Sequence, residues 1–111
     1  MKIWNACQNQ NILVFIRHIT TNTQRVENVI HIGLFEGIGG FSLAARWMGW
    51  ETLATCEIAE FPQKVLRHHF PNAYHHDDIH TLTYETINTE LTRRFGSHWR
   101  NDDVIVTGGF P

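Results

Sequence analysis

The sequence predicts an α/β fold, a parallel sheet of about four strands with flanking helices. Two observations predict it. Apolar, β-branched runs of strand length alternate with segments of helical periodicity, and a glycine or a polar turn separates each from the next. Strands and helices alternating at this interval imply βαβ units, whose crossovers are right-handed.

Each element has its own justification. Val29 to Phe35 is apolar and β-branched enough for a buried parallel strand. Gly37, Gly39 and Gly40 break it, and Phe41 to Met48 reads as a helix. Its apolar pairs, Leu43 with Trp47 and Ala44 with Met48, predict one buried face. Core packing is also the simplest reading of Phe41, Trp47 and Trp50. Gly49 supplies a left-handed stop. A second strand spans Thr52 to Cys56 and ends at Glu57. A second helix spans Phe61 to Phe70, with Pro62 tolerated in its first turn and Val65, Leu66 and His69 on one side. Pro71-Asn72 closes it, and a short strand at Ala73 to His75 leads to Asp77-Asp78-Ile79. Tyr84 to Phe95 is the third helix, with Ile87, Leu91 and Phe95 four residues apart and Gly96 at its end. After the turn Asn101-Asp102-Asp103, Val104 to Val106 forms the last strand and runs into Gly108 and Gly109.

Composition limits the function classes. The chain has 111 residues, 42% hydrophobic and 18% charged, which describes a small globular domain with a modest core. A formal net charge of -2 gives no basic footprint, so little DNA binding is expected from this segment by itself. Its 8 histidines begin to charge below about pH 6.5. The two cysteines, Cys7 and Cys56, form no Cys-x-x-Cys pattern, which suits a reducing cytoplasm. No apolar run approaches the roughly 20 residues needed to cross a bilayer, so neither a membrane nor a signal peptide is expected.

Residues 1–28 differ from the rest. They are rich in Asn, Gln and Thr; Ile12 to Ile16 is the strand-like run, and Thr20 to Gln24 reads as a polar linker. The segment is taken as an N-terminal extension, either lineage-specific or translated upstream sequence. The second is favoured, because it carries no motif and little to pack with. Residues 29–111 are the domain proper. With nothing to follow it, the last strand is expected to be an open sheet edge.

The chemistry-bearing residues collect at strand ends. In an open α/β sheet ligands lie beyond the carboxyl ends of the strands, near the reversal of strand order. The turn Gly37-Ile38-Gly39-Gly40 follows the first predicted strand, and the helix after it offers N–H groups and positive dipole to an anion. Glu57 comes about 20 residues after the first glycine, where an acid accepts from ribose hydroxyls. Asp78 follows the third strand, placed to accept from an adenine amino group with Ile79 packed on the ring. A glycine turn with two strand-end acids defines a nucleoside site. Ser42 stands where a dinucleotide fingerprint has its third Gly or Ala, which weakens a NAD reading. His68, His69, His75, His76 and His80 cluster with Asp77 and Asp78, but without tetrahedral spacing. They are read as solvated loop histidines, and no metal site is assigned.

From Val29 to Pro111 the chain resembles the N-terminal catalytic region of the DNA (cytosine-5) methyltransferases. Phe35-Glu36-Gly37-Ile38-Gly39-Gly40 is similar to that family's first motif, around the methionine end of S-adenosylmethionine. Glu57-Ile58 matches its ribose position and Asp78-Ile79 its adenine position. Gly109-Phe110-Pro111 looks like the opening of the Pro-Cys motif. The resemblance implies a partial Rossmann-like methyltransferase fold, S-adenosylmethionine as cofactor, and methyl transfer to carbon 5 of cytosine in double-stranded DNA, as in restriction-modification. The cofactor-binding residues it implies are Phe35, Glu36, Gly37, Ile38, Gly39, Gly40, Glu57, Ile58, Asp78, Ile79, Gly109 and Pro111.

There are two departures. Gly33 stands where many members have Asp, which is expected to loosen the turn. The nucleophilic cysteine that the resemblance puts directly after Pro111 is absent from these residues, as are the later glutamate and the target-recognition region. The chain is therefore read as a truncated cofactor-binding fragment, inactive by itself, with no catalytic residue assigned. Cys56 is read as a buried structural thiol. Two alternatives stand beside this reading: another Rossmann-like nucleotide-binding enzyme such as a NAD-dependent dehydrogenase, and a non-enzymatic remnant or interaction module.

Overall fold

The structure, a computed structural model, describes residues 12–16 and 29–109. Its elements are β1 (Ile12–Ile16), β2 (Val29–Leu34), α1 (Gly40–Trp47), β3 (Glu51–Cys56), α2 (Glu60–His69), β4 (Tyr74–His76), α3 (Tyr84–Phe95), a 3-10 helix (Gly96–Asn101) and β5 (Asp103–Gly109). The Thr20 to Gln24 linker, Cys7, Phe110 and Pro111 lie outside the described residues. The predicted α/β class holds, and the Rossmann-like arrangement with it. β5, β2, β3 and β4 run parallel, and three α-helices connect them. The last strand is longer than predicted, because the ladder with β2 extends from Val29↔Asp103 to Leu34↔Gly108.

Strand order is β1-β5-β2-β3-β4. The chain steps outward from β2 through β3 to β4, then returns to β5 on the far side of β2. Right-handed crossovers therefore set α1 and α2 on one face and α3 on the other. Strand order thus reverses between β2 and β5, the kind of place where open α/β sheets bind ligands.

The expected open edge is not at β5. That strand pairs with β2 on one side and antiparallel with β1 on the other, from Ile12↔Gly109 to Ile16↔Ile105. Ile12–Ile16, from the segment expected to have little to pack with, is thus part of the sheet. The reason is the row of backbone N–H and C=O groups along β5, which is costly to bury unpaired and accepts an apolar run of matching length.

The two faces of the sheet are built differently. Along β2, Ile30, Ile32 and Leu34 point to the α3 side and join a cluster with Leu53, Ala54, Cys56, Ile87, Leu91, Trp99 and Val104. A register shift in the β2–β3 ladder between His31 and Ile32 lets the consecutive Leu53 and Ala54 both join that cluster. On the α1 side His31 is fully buried, with ring nitrogens 3.0 Å from Thr52 Oγ1 and 2.8 Å from Thr107 Oγ1.

The helices divide the same way. α3 buries Ile87 and Leu91 with Phe95 partly buried, as its spacing predicts, and Thr83 caps it by accepting from the Thr86 N–H. In α1 the expected face is reversed. Leu43, Trp47 and Met48 are exposed, Trp47 by 77%, and the buried residues are Ser42 and Ala45. Small side chains bring this short helix close to the sheet, and its large apolar side chains are left on the outer surface. Phe41 and Trp50 are half-buried. Positive φ at Gly49 turns the chain out of α1 as predicted.

Candidate functional site

The carboxyl ends of β2, β3 and β4 surround a cavity of about 220 Å³ lined by Phe35, Cys56, Glu57, Ile58, Asp77, Asp78, Ile79 and His80. Cys56 and Ile79 belong to the apolar cluster below, so the floor of the cavity is the top of the core. Glu57 and Asp78 form its polar rim. Ile58 is 74% exposed, an apolar flank beside the opening.

The glycine turn is held by carboxylates. Glu57 Oε2 accepts the Gly37 N–H at 2.7 Å, and Oε1 accepts the Ala59 N–H at 2.9 Å. One side chain thus joins the turn after β2 to the start of α2, and each oxygen keeps a lone pair for a ligand hydroxyl. Glu36 points the other way. It is 5% exposed, lies beneath the turn, and its Oε1 accepts the Ser42 N–H at 2.6 Å. Burial pushes its carboxyl up from the usual range, with hydrogen bonding from Ser42 opposing the shift and nearby Glu57 adding to it.

Gly33 has a defined role here. A Cβ at that position would overlap the Glu36 carboxyl, so the glycine makes room for the acid. The turn itself needs positive φ at Gly37 and Gly39, and it forces Phe35 to φ +52 as well. A left-handed non-glycine residue costs roughly 1 kcal/mol or more and belongs to the kind of strain found at ligand sites.

Asp78 Oδ1 accepts both the His80 N–H, at 2.9 Å, and His80 Nδ1, also at 2.9 Å. These bonds, the backbone one first, lower its pKa. Both fall on a single oxygen. The neighbouring Asp77 accepts the Asp78 N–H and so holds the loop.

The predicted residues separate into groups. Phe35, Glu57, Ile58, Asp78 and Ile79 meet in the cavity. Ile38, Gly39 and Gly40 line a different groove, of about 280 Å³, between α1 and α2, together with Leu43, Val65 and Phe70. Gly109 ends β5, and a Cβ on it would press on Phe41 at 3.2 Å. Sequence reasoning misses Cys56, Asp77 and His80 as lining residues; the last two flank Asp78, and their sequence signal is only a place in a histidine cluster. Nothing in the sequence announces the Phe35 backbone.

The histidines are not all solvated. His75 bonds Thr55 Oγ1 and the Phe70 carbonyl, and His76 bonds Tyr74 Oη and Thr81 Oγ1, both half-buried. Burial lowers the pKa of His75. Among the described residues no group of three or more His, Cys, Asp or Glu is arranged to hold a metal ion. Cys56 is buried, and burial, with the nearby acids, pushes its thiol up to about 12. A thiol held neutral in this way is a poor nucleophile.

A further depression of about 190 Å³ lies at the opposite end of the sheet, lined in part by Arg46, Trp50, Pro71 and Arg94. Both arginines are engaged, Arg94 with Glu51 and the Asn72 carbonyl, Arg46 with the His69 carbonyl. No helix of the described residues is long and apolar enough to cross a membrane. Comparison with protein-family models, with curated proteins and with solved structures gave no match. What fold and site define together is a class: an α/β, Rossmann-like unit with an acid-rimmed apolar cavity at the carboxyl edge of its sheet.

Proposed function

We propose that the chain binds S-adenosylmethionine as the cofactor-binding part of a cytoplasmic DNA (cytosine-5) methyltransferase of the restriction-modification kind. One observation carries this reading. Glu57 and Asp78, from the ends of consecutive strands, rim one apolar cavity, and Glu57 also accepts the Gly37 N–H of the glycine turn. The acceptor set suits an adenosine: Asp78 accepts from the base amino group, Glu57 from ribose hydroxyls, and Ile58 and Ile79 offer apolar contact to the ring. S-adenosylmethionine, when bound, supplies an electrophilic methyl on a sulfonium. The resemblance in Phe35 to Gly40, Glu57-Ile58, Asp78-Ile79 and Gly109-Phe110-Pro111 gives the reading its enzyme class, and double-stranded DNA as partner of the complete enzyme.

Methyl transfer by these 111 residues is not expected. The chemistry needs an activated thiolate, and Cys56 is buried with its pKa raised. That same observation favours a second reading, an interaction module with no catalytic role.

Titration calorimetry tests both. Asp78→Ala and Glu57→Ala should each weaken binding of S-adenosylmethionine by about 1–3 kcal/mol. Variants that bind like the parent would move the site elsewhere. Absence of heat with any adenosyl ligand would favour the interaction module. Displacement by NAD at equal concentration would favour a dinucleotide enzyme.

A further inference from the structure

The glycine turn of a nucleotide site offers its ligand backbone N–H groups and the positive end of a helix. In this chain two of these N–H groups, one of them in the first turn of the helix, already have acid partners. The Ser42 N–H, in the first turn of α1, donates to Glu36 Oε1, and the Gly37 N–H donates to Glu57 Oε2. Glu36 is no chance surface contact. It is 5% exposed, it lies in space that only a glycine at position 33 leaves open, and its Oε2 has no hydrogen-bond partner.

We propose that Glu36 is a specificity residue. It fills the anion position at the N-terminus of α1 from within the chain, so that the site accepts adenosine derivatives with a neutral or cationic 5′ substituent and rejects nucleoside phosphates. The inference rests on the adenosine reading of the cavity. With the base at the end of β4 and the ribose at the end of β3, the 5′ substituent falls at the end of β2, against the glycine turn. A phosphate there would face the Glu57 carboxylate, with the Glu36 carboxyl buried beneath the turn and the Ser42 and Gly37 N–H groups already taken, where a dinucleotide site presents donors. The Ser42 N–H is consumed whether or not the Glu36 carboxyl is ionised, and ionisation adds repulsion to the lost donor. A cationic group at the same place gains from both acids.

Titration calorimetry on the full chain decides it, with 5′-amino-5′-deoxyadenosine, adenosine and adenosine 5′-monophosphate as probes. The amine should bind best and the monophosphate worst, about tenfold more weakly than adenosine at low salt. Added salt should narrow that gap. Glu36→Gln keeps an acceptor for Ser42 and removes the charge, so the ratio of monophosphate to adenosine affinity should rise. Glu36→Ala also releases the N–H and should raise the ratio further. Monophosphate bound by the parent as tightly as adenosine, or a ratio unchanged in both variants, would overturn the proposal and leave the adenosine reading standing. An adenosine that fails to bind the parent overturns both. If either variant does not fold, the parent's ligand order and its salt dependence decide between these outcomes.

Discussion

The two faces of this sheet use the same strands for different ends. Toward α3, β2 presents Ile30, Ile32 and Leu34 to an apolar layer closed by Ile87, Leu91 and Trp99. Toward α1 the same strand presents His31 and Gly33, and the layer contains the Thr52–His31–Thr107 row and the Glu36 carboxyl. The apolar layer is non-directional and stabilises in proportion to area. The polar layer depends on each group keeping its partner, so it contributes little net stability but penalises any other register. The candidate site stands where both reach the carboxyl edge, with its floor from the apolar layer and its glycine turn supported by the polar one.

The largest effect should come from the apolar side. Leu91→Ala leaves a cavity beneath β2 and should cost about 2–5 kcal/mol in urea denaturation, enough to threaten so small a domain. A loss below about 1 kcal/mol would mean that this face is not closely packed.

The polar side should show itself through pH. Burial lowers the His31 pKa from 6.5 to about 4. Between those values the unfolded chain takes up a proton that the folded chain refuses. The His31 contribution is therefore complete above about pH 6.5 and is lost as pH falls toward about 4, an effect of about 3 kcal/mol at most. His31→Leu should cost about 1–3 kcal/mol at neutral pH, because two threonine hydroxyls lose their partner, while flattening this part of the profile. An unchanged slope in the variant would assign the acid sensitivity to other groups, His75 among them.

Below the turn, Gly33→Ala should cost about 1–3 kcal/mol by crowding the Glu36 carboxyl. Combined with Glu36→Ala, the two losses should add to less than their sum, because the second change removes what the first collides with. Simple additivity would separate the two residues. The smallest effect is expected on the outer surface of α1, where Trp47→Lys should change stability by no more than about 0.5 kcal/mol. A larger loss would show that this surface is covered in solution.

Much of the architecture was legible in the sequence because it rests on local rules. Strand-length apolar runs, glycine stops and the i, i+4 spacing of Ile87, Leu91 and Phe95 gave the element order. The acids after the second and third predicted strands, Glu57 and Asp78, were legible as rim residues because any parallel α/β sheet carries its strand ends to one edge. Boundaries slipped by a residue where the ladder set them, as at β4, predicted over Ala73 to His75 and found at Tyr74–His76.

What only the tertiary structure decided depends on partners far apart in the chain. Helical periodicity identifies two faces of α1 but not which one turns inward; close approach to the sheet chose Ser42 and Ala45 over Leu43 and Trp47. Pairing of Ile12–Ile16 with β5 joins residues from opposite ends of the sequence, and no local pattern encodes it. The direction of Glu36, inward to Ser42 and the space left by Gly33, follows from the crossing of α1 over β2. Sequence fixes which groups each segment carries, since propensity and periodicity act within a few residues. Which groups then meet is decided by long-range packing, where one arrangement satisfies the buried donors and acceptors together.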